Sequence, residues 1–288
     1  QIASLTSTDL GALTSTQMGV LTSAQVAALS SSPQLTNLTS DDLNALGTAQ
    51  FAALNSAQVA GLTTTQIVNL ESQDLRSLTT LALRALTTTQ IAALTSEQMG
   101  QLTTAQVAAL TTDQLQSLSS TDLNAMGTAQ FTALTTLQVT NLTTSQISTL
   151  ETDDLRALST AGLKGMSTEQ IAALTSDQMT ALTTAQVVAM TTTQIASLTS
   201  TDLGALSSTQ IAALTTAQFT AINSAQLARL SSDDLPASSI GCGRAGDRGF
   251  ADNRAGGGRA GGNLVGCGGF NTNGSPSSRG TAARRLFV

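Results

Sequence analysis

The chain has 288 residues, of which 10% are charged and 2% aromatic, and its formal net charge is −6. It contains no His, Trp or Tyr, which excludes histidine-based acid–base catalysis, histidine metal sites and aromatic stacking platforms beyond a few Phe. Ser and Thr are abundant, but with Lys164 as the only lysine no base is well placed to activate a hydroxyl nucleophile. We therefore expect no enzyme and no cofactor, and we predict no catalytic, cofactor-binding or metal-ligating residues.

Charge divides the sequence close to Pro236. Residues 1–235 carry 16 acidic and five basic side chains, whereas residues 236–288 carry two acidic and seven basic ones. An acidic body repels phosphate, so we expect no nucleic-acid binding by residues 1–235. No apolar stretch approaches the roughly 20 residues that a membrane-spanning helix needs. The chain starts with the second half of a repeat, which indicates a fragment or a processed product.

From Leu5 to Leu230 the sequence repeats every eight residues. The consensus of the 29 octads is Leu-Thr-Thr-x-Gln-Ile-Ala-Ala, and Met or Ile replaces the first Leu in four of them. Position two is Ser or Thr in most octads, and position five is Gln or Asp in 27. This is the spacing of a capping box, in which two side chains satisfy two free amides at the start of a helix.

Each octad is predicted to form a bend followed by a helix of about six residues. In one example, the Thr103 hydroxyl accepts from the amide of Gln106, and the Gln106 side chain reaches back to the amide of Thr103. Leu102 and Val107 have the spacing of a hydrophobic staple. Because so short a helix is unstable alone in water, each must pack against its neighbours. The predicted fold class is all-α: a solenoid or superhelix of very short helices over residues 1–235.

Two other structures remain open for the octads. A continuous helix would rotate each octad by roughly 80° relative to the last, so no apolar stripe would survive. A β-solenoid would place positions one and six on opposite faces, and its Ala-Ala steps are poor strand formers. The short-helix coil is favoured over both.

One extra residue interrupts the octads between Leu29 and Leu38. Ser31 and Gln34 keep the capping-box spacing there, and Pro33 is tolerated because the first turn of a helix needs no amide donor. We expect a local kink in the coil at this point.

A second period, ten octads long, is superimposed on the first. From Asp42 onward, Asp occupies position five at alternating intervals of four and six octads, in Asp42, Asp74, Asp122, Asp154, Asp202 and Asp234. Other residues recur ten octads apart: Phe51 with Phe131, Glu71 with Glu151, Arg76 with Arg156, and Arg84 with Lys164. Duplication of a ten-octad block explains the pattern. Ten octads that make a whole number of superhelical turns, with about five octads per turn, would in addition align equivalent side chains in rows.

Residues 236–288 are predicted to form a flexible tail. They contain 14 of the 23 Gly and seven Arg, a composition that cannot bury a core. An Arg- and Gly-rich segment can bind RNA or an anionic surface, but this one has few aromatic residues to stack with bases. Cys242 and Cys267 are too few for a zinc site.

Two resemblances can be stated on these motifs. The run Leu182-Thr183-Thr184-Ala185-Gln186-Val187-Val188-Ala189-Met190 resembles the first helix of the repeats in TAL effectors, a family of bacterial DNA-reading superhelices. The second helix and the base-reading loop of that family have no counterpart here, so DNA reading is not implied. As a whole, residues 1–235 resemble the octapeptide-repeat tracts of bacterial proteins that coil as tubular α-solenoids of very short helices. This resemblance implies the fold and no established activity.

The expected function is that of a non-catalytic structural or interaction module, such as a stalk, spacer or scaffold in a larger bacterial surface or secreted protein. The alternative is a solenoid that binds a peptide or glycan in its groove. In a binder, unusual residues such as Phe51, Arg76 and Arg84 should gather on one concave patch. A third, less favoured function is an ice- or water-ordering surface made by regularly spaced Thr hydroxyls. The partner is therefore expected to be a protein or a glycan, and the oligomeric state stays open.

Overall fold

The structure, a computed structural model, describes residues 4–228 and 230. Across this part of the chain there are 27 α-helices and one π-helix, and no strand. In chain order the α-helices are α1 (Ser7–Gly11), α2 (Ser15–Gly19), α3 (Ser23–Ala27), α4 (Ser40–Asn44), α5 (Thr48–Phe51), α6 (Ser56–Ala60), α7 (Thr64–Val68), α8 (Ser72–Ser77), α9 (Thr80–Arg84), α10 (Thr88–Ala92), α11 (Ser96–Gln101), α12 (Thr104–Ala109), α13 (Thr112–Gln116), α14 (Ser120–Asn124), α15 (Thr128–Ala133), α16 (Thr136–Thr140), α17 (Thr144–Thr149), α18 (Thr152–Ala157), α19 (Thr160–Gly165), α20 (Thr168–Ala172), α21 (Ser176–Ala181), α22 (Thr184–Ala189), α23 (Thr192–Ser197), α24 (Ser200–Ala205), α25 (Ser208–Ala212), α26 (Thr216–Thr220) and α27 (Ser224–Leu227). The predicted all-α solenoid, with one short helix per octad, is confirmed.

The start and end of each helix follow from the octad. Thr103 precedes α12 in an extended conformation, and its Oγ1 accepts a hydrogen bond from Gln106 N at 3.2 Å. Thr103 N in turn donates to Gln106 Oε1 at 2.9 Å. At the other end Leu110 is again extended, with φ −57° and ψ 140°, so the chain leaves the helix at the first residue of the next octad.

The helices wind so that each packs against its third neighbour in either direction. α12, for example, contacts α9 and α15. About three octads therefore complete one superhelical turn, and the expected five octads per turn is wrong. The physical reason is the size of the interior. Each octad supplies two large apolar side chains, which fill a three-sided turn, whereas a five-sided turn of the same helices would enclose a space that they cannot fill.

The core runs along the interior of these turns. It consists of the first and sixth residues of successive octads, so that Leu102 is 3% exposed and Val107 is fully buried. These side chains form one cluster that extends from Leu10 to Ile211. Complete burial of each large apolar side chain stabilises the folded chain by roughly 1.5–3 kcal/mol before the ordering entropy is counted. The helices are stable because the turns stack.

The extra residue before Leu38 is accommodated in a π-helix, Ser31–Leu35. Leu35 N donates to Ser30 O, five residues earlier, at 3.3 Å. Gln34 Oε1 accepts from Ser30 N at 2.6 Å, so the backbone partner expected at Ser31 lies one residue earlier. The wider π-turn shifts the partner by one residue.

The predicted tail, its boundary at Pro236 and both cysteines lie outside the described residues. Among the described helices, none is long and apolar enough to cross a membrane.

Candidate functional site: a seam of buried glutamines

Most glutamine side chains at the fifth octad position lie in a buried row, which we call the glutamine seam and which is interrupted where Asp, Ala or Gly takes that position. All its members are at most 9% exposed. They are Gln34, Gln50, Gln58, Gln66, Gln90, Gln98, Gln106, Gln114, Gln130, Gln138, Gln146, Gln170, Gln178, Gln186, Gln194, Gln210, Gln218 and Gln226. So many buried amides require hydrogen-bond partners, because an unpaired polar group is costly in an apolar interior.

Each amide of the seam binds the backbone at two places. Gln106 Oε1 accepts from Thr103 N within its own octad. Its Nε2 donates to Leu75 O at 2.9 Å and to Leu78 O at 3.0 Å. These oxygens lie 31 and 28 residues earlier in the chain. One side chain therefore fixes the start of its own helix and ties that helix to the preceding superhelical turn.

The same two acceptor positions recur along most of the seam, whereas in Gln90 and Gln170 the residue after the first acceptor takes its place. Gln66 Nε2 donates to Leu35 O and Leu38 O, both at 2.8 Å, and Gln178 Nε2 donates to the oxygens of Ile147 and Leu150 at 2.9 and 2.8 Å. The first oxygen of each pair also accepts a backbone amide from three residues on, as Leu35 O does from Leu38 N at 3.3 Å, so the glutamine is its second donor. Each bond contributes about 0.5–1.5 kcal/mol, and leaving its buried partner unpaired costs about 1–3 kcal/mol.

Aspartate at the fifth position changes this arrangement. Asp9, in the first octad, is exposed, and Asp42, Asp122 and Asp202 are half-buried. Asp42 Oδ2 accepts from Thr39 Oγ1 at 2.6 Å, so the local link to the helix start is kept. An ionised carboxylate has no proton to donate, and the donor toward the preceding turn is therefore lost.

Two other aspartates of the series are buried. Asp74 is 1% exposed and Asp154 is 4% exposed. Their helices begin after Glu71 and Glu151, which make no side-chain cap hydrogen bond. Burial, and then the negative charge of Glu71, raise the pKa of Asp74 to about 6.

The same causes act at Asp154, ten octads later. Burial raises the pKa of Asp154 to about 6, with further contributions from the charges of Glu151 and Asp153. The two buried aspartates are thus ionisable groups at positions that the seam otherwise fills with neutral amides.

The structure does not bring together the residues expected at a peptide- or glycan-binding patch. Phe51 and its counterpart Phe131 are fully buried in the core. Arg76 and Arg84 are exposed. Phe51 occupies the inward-facing sixth position of its octad, so it lies in the core. The two arginines lie at the surface, and the three residues therefore do not form one binding patch.

Open depressions lie on the surface of residues 4–228. One of about 540 Å³ presents hydroxyl and methyl groups and no ionisable side chain. Its lining residues are Thr64, Thr88, Thr89, Ala92, Ala93 and Ser117. Over the described part of the chain, no cluster of three His, Cys, Asp or Glu side chains has the arrangement of a metal site.

The octad pattern predicts that Gln caps its own helix. It does not predict the bond from the Gln side chain to the preceding superhelical turn. One signal was present: position five is never Glu in the 29 octads, although Glu is as good a capping-box residue as Gln. Among side chains of this length, position five takes Gln and never Glu, which indicates that the amide donor is used as well as the acceptor.

Comparison with known families gives one match. The sequence model of the ALTTAQ repeat matches residues 35–72, 67–104, 118–152, 147–184 and 197–232. These segments together span more than half of the chain, and each contains about four octads. No curated protein matches the chain.

Proposed function

Because the chain belongs to the ALTTAQ repeat family, we propose that it serves as a non-catalytic structural module, a stalk, spacer or scaffold built from a variable number of octads. The observation that carries this proposal is the glutamine seam, in which every member from Gln58 to Gln226 donates to at least two backbone oxygens of the preceding turn. Each added octad with Gln at position five contributes bonds of this kind, together with two large apolar side chains.

The packing pattern supports a module of adjustable length. The main contacts of a helix are with its third neighbours, so the energetics are nearly one-dimensional and stability is a sum of repeat and interface contributions. A spacer needs this property, since its length can change without a redesign of its core.

The polar surface is also suited to such a role. The second to fourth octad positions present Ser, Thr and other small side chains to solvent, and residues 1–235 have an excess of acidic groups. A net charge of one sign keeps a repeat protein soluble and discourages lateral association. Phe51 and Phe131 are buried in the core, so neither side chain is available to a peptide or glycan.

Deletion of residues 78–157 tests the proposal. This removes ten complete octads and joins Ser77 to Leu158, the counterpart of Leu78. We expect the full chain without this block to keep the helix content per residue of its remaining octads, measured by far-UV circular dichroism. Its largest dimension by small-angle X-ray scattering should fall in proportion to the octads removed.

Deletion of residues 78–153 is the matched control. It removes almost as much of the chain but leaves half an octad out of phase, so the glutamines after the junction no longer face their backbone oxygens. We expect a lower urea midpoint and an additional transition. Equal behaviour of the two deletions, or unfolding of the in-phase one, would contradict a module made of additive octads.

A further inference from the structure

Asp74 and Asp154 occupy the seam positions of their octads, but their surroundings are not those of the other aspartates. Both are buried, and neither of the two Asp74 carboxyl oxygens has a hydrogen-bond partner. Where the aspartate is half-buried, by contrast, the hydroxyl of the Thr or Ser that precedes the helix donates to the carboxylate, as Thr39 does to Asp42. Glu71 and Glu151 replace that hydroxyl here.

The spacing of the seam bonds predicts which backbone oxygens a hydrogen-bond donor at Asp74 would reach. Seam glutamines donate to oxygens 28 and 31 residues earlier, as Gln106 does. For Asp74 the equivalent oxygens belong to Leu46 and Leu43. A carboxylate cannot donate to them, whereas a protonated carboxyl has one O–H to donate.

The elements around Asp74 supply few charges. α8 packs against α5 and α11. The helix and its cap contribute Glu71 and Arg76, α11 contributes Glu97, and α5 contributes no charged group. Two of these three charges are negative, and both the burial and the neighbouring Glu71 oppose ionisation.

Asp154 is placed in the same way. α18 packs against α15 and α21. Its own segment carries Glu151, Asp153 and Arg156, α21 carries Asp177, and α15 carries no charged group. The acidic side chains again outnumber the basic ones.

We propose that Asp74 and Asp154 are proton-dependent joints of the solenoid. When protonated, each carboxyl replaces a seam amide and donates its O–H to a backbone oxygen of the preceding turn. When the proton leaves to solvent, the carboxylate cannot make this bond, and the seam loosens where α8 meets α5 and where α18 meets α15. The longer of the two sequence periods spaces the joints ten octads apart.

The direction of the pH effect follows from proton linkage. A carboxyl whose pKa is 3.8 in the unfolded chain and about 6 in the folded one binds more protons when folded. The folded state is therefore stabilised as pH falls from about 7 toward 4, and this stabilisation is lost as pH rises through about 6.

The first test is titration of the side-chain carboxyls by ¹³C nuclear magnetic resonance on the full chain. Asp74→Asn and Asp154→Asn variants identify the two signals. We expect both to titrate at least one pH unit above 3.8, the value of an aspartate free of burial and neighbouring charge. Midpoints close to 3.8 would overturn the proposal.

The second test measures the structural consequence by urea unfolding, followed by circular dichroism near pH 5 and near pH 7.5. The wild-type midpoint should be lower at the higher pH. In the D74N/D154N double variant, whose side chains stay neutral and keep a donor, this fall should disappear.

The matched control is D41N/D113N, which also removes two acidic groups but from exposed positions. We expect it to retain the pH dependence of the wild type. A D74N/D154N protein with the same pH dependence as the wild type would contradict the joints, whereas the proposed spacer function would be unaffected.

Discussion

Gln106 Nε2 lies 2.9 Å from the carbonyl oxygen of Leu75, 31 residues earlier in the chain. The two residues belong to successive superhelical turns, and each of the other glutamines of the seam also donates to a backbone oxygen of the preceding turn. This bond explains how helices of four to six residues persist in a protein although each is far too short to be stable alone.

Replacing Gln106 with Glu tests the donor. Glutamate keeps the acceptor for Thr103 N, but its ionised carboxylate removes the donor and places a negative charge near two carbonyl oxygens. We expect the free energy of unfolding at neutral pH to fall by about 1–3 kcal/mol, with partial recovery in acid, as measured by urea denaturation.

Ala105→Glu is the control for this change. Ala105 is exposed in the first turn of α12, and Glu97 occupies the equivalent place in the preceding octad. This variant should be within about 0.5 kcal/mol of the wild type. If both variants lower the free energy of unfolding equally, the added negative charge alone explains the decrease, and the cross-turn bond is not required.

Thr103→Ala tests the helix cap. Thr103 Oγ1 accepts from Gln106 N, and loss of such a cap typically costs about 0.5–2 kcal/mol. The neighbouring Thr104→Ala, at the first helical residue, should be neutral or slightly stabilising because Ala has the higher helix propensity. Thermal unfolding of the two variants should separate them, and a Thr104 variant as unstable as the Thr103 variant would count against the cap.

Gly100→Ala tests the close approach of neighbouring turns. A Cβ on Gly100 would lie 2.7 Å from Ala125 O, whereas a Cβ on Gly11 would meet nothing within 4 Å. We expect Gly100→Ala to lower the melting temperature and Gly11→Ala to leave it unchanged or raise it slightly. A stabilised Gly100→Ala protein would show that α11 and α14 have room to separate.

Phe131→Ala tests the core. Phe131 is fully buried, while Leu137 in the next octad is 67% exposed. Truncation of a buried Phe should cost about 3–5 kcal/mol, and Leu137→Ala should cost little. Similar denaturation midpoints for the two variants would contradict the placement of Phe131 in the interior.

The repeat made the local structure predictable. Thr103 and Gln106 have the sequence spacing of a cap, and Leu102 and Val107 have the spacing of core residues, so the position of each helix could be derived from eight letters. These features depend on bonds between residues close in sequence, which propensity and capping rules describe well.

The relations between turns were harder to derive. The number of octads per turn depends on how the interior is filled, and that is a property of many side chains together. The bond of Gln106 to the preceding turn and the burial of Asp74 both depend on residues of another superhelical turn. The octad pattern does not predict which residues of two turns lie next to each other. The octad spacing predicts Ser31 as the backbone partner of Gln34, but the π-turn moves that partner to Ser30.

The central claim is that the side-chain amides of the seam are bonded to the preceding turn. It is tested most directly by hydrogen exchange of ¹⁵N-labelled glutamine side chains in the folded full chain. We predict that the Nε2 protons of Gln106 and the other seam residues exchange as slowly as nearby backbone amides, while those of the exposed Gln101 exchange freely. Exchange of Gln106 at the rate of Gln101 would contradict the account.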